Sequence, residues 1–242
     1  MRGFKGLLGS IAFAATAASS ASTITVDWNA SVFDPAGIAV GTVVHPGNDV
    51  STSAGRFAGE VIASTDFDEA QLFESTEDFF AYCHDLAQIL VNSATVYQVT
   101  YGASDTMLRW LGAVNTVLGN GNYSWISPQS STIAAAVQLG IWEALHYGAG
   151  DTEFLLNSGY VSFNLSKVPD AVETQYAAFR TQMLDPNNQA LSGDFVMVMT
   201  SRSSQDVITG RLVPSLLVPE PGTLLLVSVA AAAAGLARRR KN

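Results

Sequence analysis

Hydrophobic and polar positions alternate along several short stretches of the chain and recur at helical spacing along three longer ones. Thr23 to Trp28 alternates and predicts a strand. Gly37 to Val44 predicts a second, bounded by Pro35 and the Pro46-Gly47 turn. Residues 45–60 are rich in Gly, Ser and Asp and predict an exposed loop. Phe79 to Cys83 is a compact aromatic run and Ala94 to Tyr101 alternates again, so both predict strands. Asp105 is predicted to cap a helix carrying Leu108, Leu111, Val114 and Leu118, stopped at Gly119-Asn120-Gly121. A second helix is predicted from a cap at Ser131 or Thr132 to Tyr147, with Gly148 as its stop. Steps of 100° set its Ile133, Val137, Ile141, Ala144 and Leu145 in one apolar stripe. Pro169 opens a third helix, with Val172, Tyr176, Phe179 and Met183 at helical spacing, ended before Pro186. Phe195 to Thr200 and Gly210 to Val218 return to strand character. Strands on both sides of a helical block predict an α+β fold, a β-sandwich or barrel core with a helical insertion.

The two ends follow neither pattern. Residues 1–21 begin with Arg2 and Lys5, run apolar from Leu7 to Ala18 and finish in small residues at Ala21. That three-part layout predicts a secretory signal peptide read by Sec export machinery. At the other end, Pro219-Glu220-Pro221 cannot sit inside a helix, because each proline forces its predecessor into an extended conformation. Thr223 to Ala237 then carries no charge and stops at Arg238, Arg239, Arg240 and Lys241. This predicts a C-terminal transmembrane helix of marginal membrane affinity, its basic tail left in the cytoplasm. The organisation read from sequence is therefore a signal peptide (1–21), an extracytoplasmic domain (22–217) and a C-terminal segment (218–242).

Charge sharpens this division. The 242-residue chain has a formal net charge of -9, yet six of its 12 basic residues lie at the two ends. Residues 22–217 keep six basic residues against 20 acids, and such a surface repels phosphate backbones, so nucleic-acid binding is excluded. Cys83, the one cysteine, rules out intramolecular disulfides and a Cys-rich zinc site. His45, His84 and His146 have no metal-ligand spacing. Asp49, Asp151 and the Asn120-Gly121-Asn122 turn form no spaced calcium loop, and no metal or cofactor is expected.

Val218-Pro219-Glu220-Pro221-Gly222-Thr223, the apolar stretch and the final arginine cluster, in that order, resemble the PEP-CTERM protein-sorting signal. The resemblance implies an exported protein of a Gram-negative bacterium, held briefly in the inner membrane. An exosortase then processes it near Pro219-Glu220-Pro221 for the cell surface or the extracellular matrix. The membrane contact is transient on this reading, and the helix is a sorting handle.

Two residues of the middle segment suggest chemistry. A lone cysteine such as Cys83 is ordinarily a small buried hydrophobe, but in an exported protein an unpaired thiol meets oxidants and partners. Gln138 falls on the shoulder of its helix's apolar stripe, between Ala134 and Trp142. Buried there, its amide must be hydrogen-bonded or it costs about 1–3 kcal/mol. Periodicity alone reads it as a glutamine bonded to backbone beside a core tryptophan. Tyr82-Cys83 followed by Asp85, together with Val137-Gln138-Leu139-Gly140-Ile141-Trp142, resemble the paired signatures of Cys-Gln thioester domains, known from Gram-positive surface adhesins. That resemblance implies an internal Cys83–Gln138 thioester, with Tyr82, Asp85, Ile141 and Trp142 around it and a dry wall of Phe79, Phe80, Tyr82 and Trp142. A partner's amine then opens the thioester once, giving covalent adhesion rather than enzymatic turnover. On a continuing strand His84 would face away from Cys83 and Asp85 would share its face, so His84 is not assigned as a base. Two other readings stay open: a non-reactive structural component of an exopolysaccharide matrix, and a cysteine hydrolase or acyltransferase pairing Cys83 with His84 or His146.

Overall fold

The computed structural model describes residues 21–45, 48–86, 88–119, 121–147, 154–157 and 161–213. The sorting segment and nearly all of the signal segment lie outside them, as do Asn120 and Asp151. No helix of the described residues is long and apolar enough to cross a membrane. In chain order the elements are strands β1 (Thr23–Phe33), β2 (Ile38–His45), β3 (Asn48–Ala54), β4 (Phe57–Thr65), β5 (Phe79–Cys83) and β6 (Thr95–Tyr101). Helices α1 (Asp105–Leu118) and α2 (Ser131–His146), strand β7 (Ser162–Phe163), helix α3 (Asp170–Leu184) and strands β8 (Val196–Thr200) and β9 (Val207–Gly210) follow.

Six strands close into an antiparallel barrel in the order β1-β4-β5-β9-β8-β6. The barrel settles the sandwich-or-barrel alternative, and closure leaves the sheet no terminal edge strand. Because β6 pairs directly with β8, the whole helical block is an insertion between two neighbouring staves. A second sheet, β3-β2-β7, lies alongside. Alternation along β1 buries Ile24, Val26 and Trp28. Trp28 meets Phe57, Phe79 and Tyr97 from three other strands at centroid distances of 5.8–6.2 Å, an aromatic cluster inside the barrel.

Three expectations from the sequence are corrected. Residues 45–60, expected as a loop, contain β3 and the start of β4. Gly, Ser and Asp are weak strand formers, but β3 pairs with β2 from Ile38↔Ala54 to His45↔Asn48, and partners override propensity. The last strand is Val207–Gly210, ending where Gly210 to Val218 was expected to begin, because its register is set by β8 through Val196↔Gly210 to Met199↔Val207. The helix caps sit one residue earlier than expected. Ser104 accepts from Met107 N–H and Ser130 from Ile133 N–H, leaving Asp105 and Ser131 as first helical residues. Gly119 ends α1 with φ +71°, the left-handed cap that glycine adopts at least cost.

Helix α2 departs furthest from its pattern. Every residue from Ala134 to Ala144 is buried, so it has no free face, whereas the predicted stripe members Ile133 and Leu145 are only partly covered. One side lies on Trp110 of α1, whose ring packs against Phe154, Tyr176 and Phe179 and whose indole donates to the Val137 carbonyl (3.2 Å). The helices approach this closely because position 140 is glycine: a Cβ there would fall 1.9 Å from Trp110 Cζ2. The other side of α2 faces β5 and the second sheet.

Candidate functional site

The site forms where β5 runs out of one partner. The ladder between β4 and β5 ends at Phe57↔Ala81, two residues short of Cys83. On the other edge Cys83 is opposite Val207, and the ladder continues through His84 N–H to the Asp206 carbonyl (2.8 Å). Gln138 fills the vacant edge. Cys83 N–H donates to Gln138 Oε1 (2.8 Å), and Gln138 Nε2 donates to the Cys83 carbonyl (2.8 Å). One side-chain amide thus supplies both bonds that a continuing strand would have made, which meets the requirement that a buried glutamine be satisfied. Both residues are 1% exposed.

The thiol has its own partners. Trp142, one helical turn beyond Gln138 and on the same face of α2, donates its indole N–H to Cys83 Sγ (3.1 Å). The Trp142 ring stacks on Phe163 of β7 at 6.1 Å, which holds the donor in place. Cys83 Sγ–H in turn donates to the Asp85 carbonyl (2.6 Å). Burial pushes the thiol up to about 12, against the smaller opposing effects of the Trp142 and Asp85 hydrogen bonds. It is a protonated thiol at neutral pH, unlike the low-pKa thiolates of cysteine enzymes.

The strand-alternation argument for Asp85 fails, because β5 stops at Cys83. The chain turns there, and it is the backbone oxygen of Asp85 that reaches the sulfur. His84 is held neutral, its pKa lowered to about 4 by burial, with Asp85 opposing and His146 adding to the shift. The expected aromatic wall also divides. Phe79 shares the Cys83 side of β5 and packs on Trp28, and Trp142 touches the sulfur. Phe80 instead lies under the Arg56 guanidinium (3.7 Å), and Tyr82 stacks on Trp125 (6.1 Å). Burial pushes the Tyr82 phenol up. Ile141 is fully buried in α2, next to Trp142.

Beside Cys83 opens a pocket of about 420 Å³, with Trp142 on its wall and Phe33, Phe57 and Leu86 around it. The segment after Cys83 forms one side and is tied down by the turn between β8 and β9. Gln205 Nε2 donates to the carbonyls of Asp85 (2.8 Å) and Gln88 (3.0 Å), and Gln205 N–H donates to that of Ile89 (3.2 Å). Ser204 Oγ accepts from Val91 N–H (3.0 Å). Sequence reading missed Ser204 and Gln205; a polar pair in a turn, 120 residues from Asp85 in the case of Gln205, carries no periodic or motif signal. Among the described residues no group of three His, Cys, Asp or Glu side chains converges as a metal site.

Residues 217–241 match the PEP-CTERM protein-sorting motif, which contains Pro219, Glu220, Pro221 and the basic cluster Arg238 to Lys241. The motif implies export, exosortase processing and cell-surface sorting in Gram-negative bacteria. Among solved structures, the chain is similar to the N-terminal thioester domain of protein F2 like fibronectin-binding protein from Streptococcus pneumoniae. Identity is 8% and the TM-score 0.38, over 81% of this chain and 96% of that one. No curated protein matches the chain.

Proposed function

We propose that this exported, exosortase-sorted chain is a surface or matrix protein that closes an internal thioester between Cys83 and Gln138 and spends it once on a partner's amine. The observation that carries the reading is the seating of the Gln138 carboxamide on the backbone of Cys83 itself, through two 2.8 Å hydrogen bonds, with both residues shut away from solvent. Attack of sulfur on the carboxamide carbon forms the C–S bond and breaks C–N. The thiol proton leaves with the departing nitrogen as ammonia. Negative charge gathers on Oε1 during the attack, and the Cys83 N–H already points at that atom, the arrangement that stabilises an oxyanion without reorganisation. Proximity supplies the rest, since the two groups cannot diffuse apart.

The same burial gives the product its lifetime. A sulfur whose thiol is pushed up to about 12 is a reluctant leaving group, and a covered carbonyl meets little water. An arriving amine attacks the former Gln138 carbonyl, forms an amide, and returns the proton to sulfur. Nothing then regenerates the carboxamide, so the chain is a single-use linker and not an enzyme. On this reading, before processing the acidic domain faces the periplasm and the basic cluster Arg238 to Lys241 stays in the cytoplasm.

Intact mass of the protein purified from its host tests this. The expected mass is one ammonia below that of the processed sequence. Methylamine should add once, at residue 138, and free a titratable thiol on Cys83. Full sequence mass together with ready native alkylation of Cys83 rejects the reading. The second reading then holds, a non-reactive surface component in which the two hydrogen bonds to Cys83 make Gln138 a purely structural tie.

A further inference from the structure

Away from Cys83, a second hollow of about 640 Å³ opens on the outer wall of the barrel. That volume falls within the roughly 300–1,000 Å³ of small-molecule sites. Its floor is a row of side chains from three neighbouring strands. Thr23 of β1 stands opposite Gln98 of β6, and Gln98 stands opposite Thr200 of β8. Alternation turns this row outward, since the adjoining Ile24, Tyr97 and Met199 fill the core. The turn between β8 and β9 makes the wall, with Ser201, Arg202, Ser203 and Asp206. Within it Ser201 N–H donates to Asp206 Oδ1 (2.8 Å) and Ser203 N–H to Ser201 Oγ (3.3 Å). From behind, the fully buried Ser204 Oγ accepts from Val91 N–H (3.0 Å) and from the Tyr97 hydroxyl (3.4 Å). The wall is therefore in place before a ligand arrives.

The chemistry of these walls selects the ligand. Arg202 brings donors, Asp206 acceptors, Gln98 both, and the four Thr and Ser hydroxyls serve either way. One positive and one negative side chain favour neither ion, and the acid excess of residues 22–217 repels anions further. Among the described residues that line the hollow only Val96 is apolar, 58% exposed, too little for a lipid or a large apolar group. Strands β1, β6 and β8 are each paired on both edges, so an extended peptide finds no edge to extend. What fits is a neutral molecule dense in hydroxyls, with a small C–H face for Val96. We propose that this cleft binds a neutral saccharide, its hydroxyls on Gln98, Arg202 and Asp206 and one ring face on Val96. The proposal goes beyond the thioester reading and needs neither Cys83 nor Gln138.

The test titrates the host-purified protein with maltotetraose, cellotetraose and chitotetraose, followed by saturation-transfer NMR, with tetragalacturonate as the anionic counterpart. At least one neutral tetrasaccharide should bind with a Kd of about 0.1–5 mM, the range that a few net hydrogen bonds support. Its Kd should change by less than about twofold between low and high salt, because no ion pair forms. Gln98→Ala with Arg202→Ala should weaken binding by about tenfold or more. Both side chains are exposed, so the urea midpoint should stay at that of the parent protein. Ile62→Ser, exposed on β4 outside the cleft, should leave the Kd unchanged. No binding of the three at about 10 mM overturns the proposal. So does a Kd that the double variant leaves unchanged, or tighter, salt-sensitive binding of tetragalacturonate. Saccharide binding by a protein of full sequence mass keeps the cleft and rejects the thioester, whereas a mass deficit without binding does the reverse.

Discussion

Replacing Gln138 by leucine in a Cys83→Ala background isolates the worth of the amide that completes the edge of β5. The background matters, because no thioester can form in it, while both hydrogen bonds run to the backbone of residue 83 and survive the loss of sulfur. Leucine roughly preserves the volume of glutamine, so little cavity is opened in a helix buried on all sides. What is lost is the partner of one buried N–H and one buried carbonyl at the place where the β4 ladder has already ended. An unsatisfied buried backbone group costs about 1–3 kcal/mol, so the pair predicts a loss of about 2–6 kcal/mol. The Trp142 indole, left without its sulfur, is common to both proteins and cancels. For a domain of this size, at about 2–4 °C per kcal/mol, that loss lowers Tm by roughly 4–24 °C. The assay is urea unfolding of the single and double variants, followed by tryptophan fluorescence, with Tm as a check. A difference below about 1 kcal/mol refutes the argument that Gln138 stands in for a missing strand.

Two further outcomes follow from the geometry. The pKa of His84 falls from 6.5 to about 4 mainly through burial, so between those values the unfolded chain takes up a proton that the folded one refuses. Stability should therefore decline as pH drops from 6.5 to 4, and His84→Gln should flatten that limb of a pH series of urea midpoints; an unchanged slope counts against it. Gly140→Ala should destabilise by about 3 kcal/mol or more although alanine is the better helix former, because its Cβ would lie 1.9 Å from a fully buried Trp110. A urea midpoint equal to that of the parent protein would show that α1 and α2 can move apart.

Much of this molecule could be read from local patterns, because those patterns record which face of an element is apolar and where its backbone groups need help. The run Phe79 to Cys83 is a strand with the expected bounds, and the three helices start within a residue or two of their polar or proline signals. Pro219-Glu220-Pro221 and the basic cluster belong to a sorting motif, which is an ordered string of residues and needs no fold to be recognised. Partners are another matter. Asn48–Ala54 is a strand despite its composition because β2 lies beside it, and Val207–Gly210 is one because β8 does. Helix α2 has an apolar stripe in sequence yet no exposed side in the fold, since Trp110 covers one flank and β5 the other. The sequence pairs Cys83 with Gln138 only through a resemblance. Their contact depends on how distant segments pair: the β4 ladder ends two residues short of Cys83 and leaves an edge that a side-chain amide from 55 positions away fills. Gln205, holding the Asp85 carbonyl against the thiol, had no signal at all. Periodicity is a property of one segment, whereas a hydrogen bond between distant segments depends on how the whole chain closes, and only the tertiary structure decides that.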